Sequence, residues 1–292
     1  MWFYIKLAWR NVLRNKRHTI IAGIAIGVGL ASMIFMDALI IGMKDNLVKS
    51  ATNSFLGEGQ IHRKGFRLTQ EVEKTINNID EITSSLKKEE VIESFTLRTS
   101  SFGMITSPAN VSSIMFFGIT PETEKPLSKI DDAIRDGSFF NGESEYDIVV
   151  GSELAEILEV DLGDRVVITV SQAHSGDLSQ EMFRISGIYH FNIKEMDTAF
   201  AFVRLPKVQQ MLGIGAGVHE IILKFKDMGF ALEDNNPFWE KYSTNDNEAV
   251  SWTVLLPEIK IMFRMVWVSL VFLGAILFGI VAFGIINTLF MS

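Results

Sequence analysis

The chain has 292 residues, 48% hydrophobic and 21% charged, with a net charge of −8. It has no cysteine, which excludes a disulfide scaffold, a thiolate metal site and a cysteine nucleophile. Charge is divided by position: residues 1–18 carry Lys6, Arg10, Arg14, Lys16 and Arg17 and no acid, while the acidic excess lies further along. That division is unlike a nucleic-acid binder and like a protein oriented across a membrane.

In the first eighteen residues, Lys6, Arg10 and Arg14 fall on one helical stripe, and Trp2, Ile5, Trp9 and Leu13 fall on the other side. The spacing predicts an amphipathic helix over 1–18 on the cytoplasmic membrane surface, with Trp2, Lys6, Trp9, Arg10 and Arg14 as its contacts to membrane lipids. Plain topogenic charge without a helix is the alternative. From Thr19 to Met36 no residue is charged, and after Asp37 the apolar run resumes as far as Met43. About 20 helical residues cross a bilayer core, so 19–43 is predicted as the first transmembrane helix. The basic flank places the N-terminus in the cytoplasm and the next segment outside it. A cleaved signal peptide, with its site near Gly29-Leu30-Ala31, competes with this reading. Gly23 and Gly27, and later Ala275 and Gly279, have the spacing of close-packed membrane helices.

Residues 44–256 alternate strand-like and helix-like stretches. A strand is expected over 58–65, a helix over 68–90 with Val72, Ile76, Ile79, Ile82 and Leu86 on its apolar face, and strands over 91–101 and 111–119. A βαβ-type layer therefore opens the domain. Segments 147–160, 162–170, 181–191 and 199–205 read as short strands of a small barrel or folded sheet. Strands at 219–226 and 249–256, around a helix near Phe238 and Trp239, return the chain to the first layer. Met104, Ile105, Met115, Phe116 and Phe117 read as strand core or dimer interface, in preference to a substrate cleft.

The second span is predicted over 257–292: Pro257 and Glu258 suit a first helical turn, and 265–292 carries no charge. Sites of chemistry are sparse. There is no GxxxxGK[ST] loop, and Gly213, Gly215 and Gly217 precede a strand, so they read as a turn. The five histidines form no close ligand pair. Ser84 and Lys87 read as a solvated helix face, and Asp131-Asp132 and Asp161…Asp164 as turn acids.

Several segments together resemble the MacB/FtsX-type permeases of ABC transporters, including those of lipoprotein-releasing systems. LAWRNVLRNKRHT at 7–19 is similar to that family's start of its first span. GITPET at 118–123 with IVVGSELAEILEVDLGDRVVITV at 148–170 resembles its central signature. FRISGIYHFNIKEMDTAFAFVRLPKVQQML at 183–212 and FGIINTLFMS at 283–292 continue the likeness. The resemblance implies an α+β membrane protein in which two transmembrane helices flank a periplasmic domain. That domain would combine an α/β porter subdomain, about 44–110 and 213–256, with an inserted β-rich sabre subdomain, about 111–212.

It further implies a non-catalytic permease subunit in the bacterial inner membrane, which transmits the motion of a separate cytoplasmic ATPase to the periplasm. Its expected partners are that ATPase, a second permease copy or paralogue, and a periplasmic chaperone or adaptor. No cofactor is expected on this chain, ATP residing on the partner, and no nucleic acid. The family has four spans and a cytoplasmic coupling helix after the second, so the chain reads as a fragment ending before that helix. The loop 171–181 matches the family's chaperone-docking region but is shorter and lacks its prolines. Within it Ser171, Gln172, His174, Asp177 and Gln180 are the candidate partner contacts. A two-span periplasmic scaffold or sensor, such as a polysaccharide chain-length regulator, is the alternative.

Overall fold

The computed structural model describes residues 2, 10, 16–140, 144–232 and 236–290. The chain divides into two compact units, one made of Met1–Lys49 with Pro257–Ser292 and the other of Ser50–Leu256.

In the first unit, helix α1 covers Lys16–Ala51 and a second long helix covers Pro257–Phe290. Two stretches are long and apolar enough to cross a membrane, Ile26–Leu56, which runs on past the end of α1, and Pro257–Ile280, and neither has its apolar window buried by protein. Ile21, Trp267, Phe278 and Phe283 are among the side chains left at least 65% exposed. So much contiguous apolar surface is unfavourable in water and stable in hydrocarbon. A Cβ on Gly23, Gly27 or Gly279 would meet nothing of this chain within 4 Å, so these glycines are not where its two long helices approach. The helices approach instead at Gly29, against Leu277, and at Gly274, against Met33. Small residues permit close approach wherever the rotation of the helix puts them, and spacing alone does not fix that rotation.

In the second unit the strands, in chain order, are β1 (Gly59–Arg63), β2 (Ile92–Thr106), β3 (Val111–Ile119), β4 (Ile134–Gly137) and β5 (Asp147–Gly151). They continue as β6 (Arg165–Ser171), β7 (Leu178–Tyr189), β8 (Phe200–Arg204), β9 (Glu220–Phe225) and β10 (Asn247–Ser251). The short helices between them are α2 (Phe66–Thr69), α3 (Ile79–Leu86), α4 (Pro121–Glu124), α5 (Ser152–Leu158), α6 (Lys194–Ala199), α7 (Leu205–Leu212), α8 (Pro237–Tyr242) and α9 (Trp252–Leu255). The helix over Pro257–Phe290 is then α10.

One long strand organises the unit. The first half of β2 pairs with β9, in a sheet of order β10-β1-β9-β2. Its second half, from Thr99 onward, pairs with β3, and residues 104–106 also pair with β6. From β3 the pairing runs through β8, β5, β7 and β6 back to β2, a closed ring of six strands. Closure removes free edges. Ile105, Ile114, Phe116, Ile148, Val150, Val166, Ile168 and Phe183 form the core inside the ring, with Leu154 of α5 and Met211 of α7. Because strand side chains alternate, Phe117, Ile119, Val149 and Phe202 point the other way, into a second cluster with Phe55, Phe139 and Tyr189.

The strands at 58–65, 91–101 and 111–119, the central β character and the helix near Phe238 are all present. Ile105, Phe116 and Phe117 are core, whereas Met104 is 50% exposed. Three expectations are corrected. The helix over 68–90 is broken: only Phe66–Thr69 and Ile79–Leu86 are helical, and Gln70 and Asn78 adopt positive φ. Tertiary hydrogen bonds hold the intervening segment, Ile76 N donating to Val218 O and Asn77 N to the side chain of Asn247. The strand over 147–160 stops at Gly151 and becomes α5, and the strand over 249–256 stops at Ser251, whose Oγ accepts from Thr253 N and starts α9. The opening layer is a split βαβ, since β1 and β2 lie parallel with β9 between them, antiparallel to both.

Candidate functional site

The covalent links of the Ser50–Leu256 unit to the two long helices meet on neighbouring strands of one sheet. At the first link, α1 runs into a π-helical turn, Thr52–Leu56, closed by Gly57 N donating to Thr52 O at 2.8 Å. Gly57 has φ +73, and a Cβ there would fall 2.3 Å from the Ile222 side chain, so only glycine fits. Glu58 follows and makes three bonds. Its N donates to Leu223 O, its carbonyl accepts from Trp252 N at 3.1 Å, and its carboxylate accepts from Phe225 N at 2.8 Å. Burial raises the Glu58 carboxyl above its ordinary value, and the Phe225 N–H opposes that.

At the second link, β10 pairs with β1 in the register Gly59↔Ser251. Trp252, 2% exposed, fixes the turn, and Arg67 donates to Leu255 O at 3.4 Å. The backbone bond between Glu58 and Trp252 therefore ties one link directly to the other.

Beside the first link sits a buried ion pair. Arg98 of β2 is 1% exposed and Glu124 of α4 is fully buried. The guanidinium donates to Glu124 through Nε at 3.1 Å and Nη2 at 2.6 Å, and through Nη1 to Phe55 O at 2.6 Å. It also lies 3.7 Å from the centroid of the Phe55 ring, which packs edge-on against Phe117 at 4.7 Å. A bidentate pair in a dry setting satisfies both charges and fixes orientation. Lys129 N donates to Asn53 O and Gln60 Nε2 to Leu56 O, so the π turn is held on several sides. Burial raises Glu220 on β9, with Arg98 and Arg67 opposing.

The buried histidines brace the same sheet. His219 accepts at Nδ1 from Ser100 N at 3.1 Å, lies 2.8 Å by Nε2 from Val72 O, and stacks on Phe66. Burial lowers its pKa and that of His62. Ser152, His190 and Asp197 also meet, but Ser152 Oγ at 2.8 Å and Asp197 Oδ2 at 3.3 Å both approach the same nitrogen, Nδ1. A proton relay needs the two on opposite nitrogens, so this cluster orients the imidazole and does not activate the serine. Among the described residues no three His, Cys, Asp or Glu side chains are placed to hold a metal ion.

The residues singled out by sequence lie elsewhere. Trp2 and Arg10 are helical and exposed, while Lys6, Trp9 and Arg14 lie outside the described residues. Ser171 ends β6, and Gln172, His174 and Asp177 form the turn into β7, where Gln180 donates to Thr169 Oγ1 at 3.1 Å. The turn is tied down: Gln172 N donates to Asp177 O, and Ala173 N to Leu212 O, each at 2.8 Å. Sequence reasoning passed over Arg98 and Glu124. The available signal was an arginine inside the apolar strand FTLRTSS, a cation that burial would oblige to find a partner.

A family model described as the MacB-like periplasmic core domain matches residues 19–229. The lipoprotein-releasing system transmembrane protein LolC of Xylella fastidiosa (strain Temecula1 / ATCC 700964) is 31% identical over 124 residues, covering 41% of this chain and 30% of its own length. LolC of Buchnera aphidicola subsp. Schizaphis graminum is 25% identical over 199 residues, covering 64% of this chain and 46% of its own. The crystal structure of the periplasmic region of MacB from Actinobacillus actinomycetemcomitans aligns with a TM-score of 0.44 at 16% identity, covering 69% of this chain and 92% of that one. The chain thus spans less than half the length of these two curated relatives.

Proposed function

The chain belongs to the family of the MacB-like periplasmic core domain, and from that premise we propose that it is a permease subunit of an ABC transporter, transmitting motion between the membrane and the periplasm. The observation that carries the reading is the bonding of the two links to each other, Glu58 O to Trp252 N, beside the Arg98–Glu124 clamp. A displacement applied to either link reaches β1 and β10 through direct backbone hydrogen bonds.

In this reading α1 and α10 span the inner membrane, the five basic residues before Thr19 hold the N-terminus in the cytoplasm, and Ser50–Leu256 is periplasmic. The β10-β1-β9-β2 sheet corresponds to the porter part and the six-stranded ring to the sabre part. ATP is hydrolysed by a separate cytoplasmic subunit, and a second permease copy or paralogue completes the membrane portion. The substrate class is a lipoprotein or another hydrophobic periplasmic cargo, and the 171–180 turn is where a soluble carrier would meet the subunit. The scaffold alternative, of the polysaccharide chain-length-regulator kind, relies on long helices outside the membrane; in Ser50–Leu256 no described helix exceeds eight residues.

These 292 residues contain no cysteine, so labels can be placed in them once any cysteine elsewhere in the parent protein is replaced by serine. Spin labels at Ser84→Cys and Ser175→Cys, in the parent protein reconstituted with its ATPase, report the distance across the unit with and without a trapped nucleotide. A nucleotide-dependent change is expected. An invariant distance during active hydrolysis overturns the reading.

A further inference from the structure

The strand ring carries a cleft that takes no part in the links to the helices. Its volume is about 890 Å³, and its lining includes Tyr146, Asp147, Leu162, Arg165, Met182 and Arg184. Strand pairing decides which charges meet there. Arg165 of β6 is directly opposite Arg184 of β7, and Arg184 is in turn opposite Asp147 of β5. Two arginines and one aspartate therefore occupy facing register positions on three adjacent strands. Like charges facing each other across strands are unfavourable.

Arg184 is fixed by donating from Nε to Gly163 O at 3.1 Å. Arg165 is exposed, and no ion pair or hydrogen bond holds it among the described residues. Two other cations nearby are already engaged: Arg204 donates from Nε to Ser144 O at 3.1 Å, and Lys207 Nζ is 2.8 Å from Glu181 and 4.5 Å from the Tyr146 ring. The cleft also has an apolar side, with Leu162 44%, Tyr146 48% and Met182 51% exposed.

We propose that this cleft binds a phosphate monoester bearing an apolar group, with Arg165 and Arg184 taking the phosphate and Leu162, Tyr146 and Met182 the apolar portion. A single guanidinium fork satisfies both oxygens of a carboxylate, whereas two forks side by side match the three terminal oxygens and higher charge of a phosphate monoester. Binding would also relieve the Arg165–Arg184 repulsion, so the ligand supplies the missing counter-charge. The proposal stands independently of the transport reading.

The test is thermal unfolding of the full chain in maltoside micelles with hexyl phosphate, inorganic phosphate and hexanoate as separate probes. Hexyl phosphate should raise the unfolding temperature saturably, at a concentration about tenfold lower than either of the others requires. Arg165→Gln should weaken that response about tenfold while leaving the unliganded unfolding temperature the same or higher. Arg165→Glu, which places opposite charges across the strands, should abolish the response and keep the fold. Absence of a saturable response, or an unchanged response in Arg165→Gln, overturns the site. Equal half-saturation by inorganic phosphate overturns the role of the apolar side, and equal half-saturation by hexanoate overturns the preference for phosphate.

Discussion

The two halves of β2 run through different chemistries. Around its first half, the β10-β1-β9-β2 sheet buries Glu58, Gln60, His62, Arg98, His219 and Asn247, together with Glu124 of α4. Around its second half, the ring encloses a cluster of Ile, Val, Leu, Phe, Ala and Met side chains, with Ser101, Asp147 and Lys207 buried on the strands and helix around it. An apolar core stabilises by area and tolerates exchange of similar volumes. A buried polar network contributes little net stability but admits one arrangement, because any shift leaves a charge or donor unsatisfied. The half that receives both links to the membrane helices is the polar, singly specified one, as a part that must hold its geometry under load would require.

The sharpest way to break this comparison is Arg98→Ala. It strands the Glu124 carboxylate in a buried site and frees Phe55 O, and should cost about 3–5 kcal/mol in denaturant unfolding of the full chain in micelles. Replacing both partners by methionine should recover most of that loss while loosening the π turn, seen as faster amide exchange at 52–58.

Next in size is Gly151→Ala, in the wall of the ring. Its Cβ would lie 2.1 Å from Asp197 O, a backbone atom that cannot step aside, so a loss of about 3 kcal/mol is expected.

His219→Asn should cost about 1–2 kcal/mol at pH 7 and also change the pH dependence. Burial holds His219 and His62 below their ordinary value of 6.5, so in mild acid the unfolded chain takes protons that the folded chain refuses. Their contribution is complete above pH 6.5 and is lost as pH falls below it. Glu58 and Glu220, raised above 4.5, act in the opposite sense: there the folded chain binds protons more readily, and stability falls as pH rises through that interval. From pH 7 toward 5.5 the histidines therefore lower the unfolding temperature and the two glutamates oppose them, so His219→Asn should lose less over that range than the parent chain; equal slopes would remove the histidine from the account.

The smallest effects belong to the ring and its rim. Ile168→Val should cost about 1 kcal/mol, and Ser175→Ala on the exposed turn less than about 0.5 kcal/mol, both by the same unfolding assay.

What could be read in advance followed local signals. The two long helices announce themselves by runs without charge, and β3, β8 and β9 by apolar β-branched and aromatic residues between turn residues. The segment 70–78 misled because Val72 and Ile76 keep helical spacing while their backbone is taken by Val218 and His219, over 140 residues away. Gly151-Ser152 and Ser251-Trp252 misled because a strand and the helix that follows it can both be apolar; at the second boundary the Ser251 cap decides, by a hydrogen bond visible only in three dimensions, and at the first no side chain caps the helix.

The sequence by itself determined that two helices suit hydrocarbon, that a mixed unit lies between them, and which strands alternate, since these depend on residues close together in the chain. Tertiary structure alone decided that β2 is shared by a sheet and a closed ring, that Arg98 finds Glu124 rather than Glu220, and that Arg165 faces Arg184. Those outcomes depend on strand register, and register is set by the best simultaneous burial of every strand, which no single stretch of sequence contains.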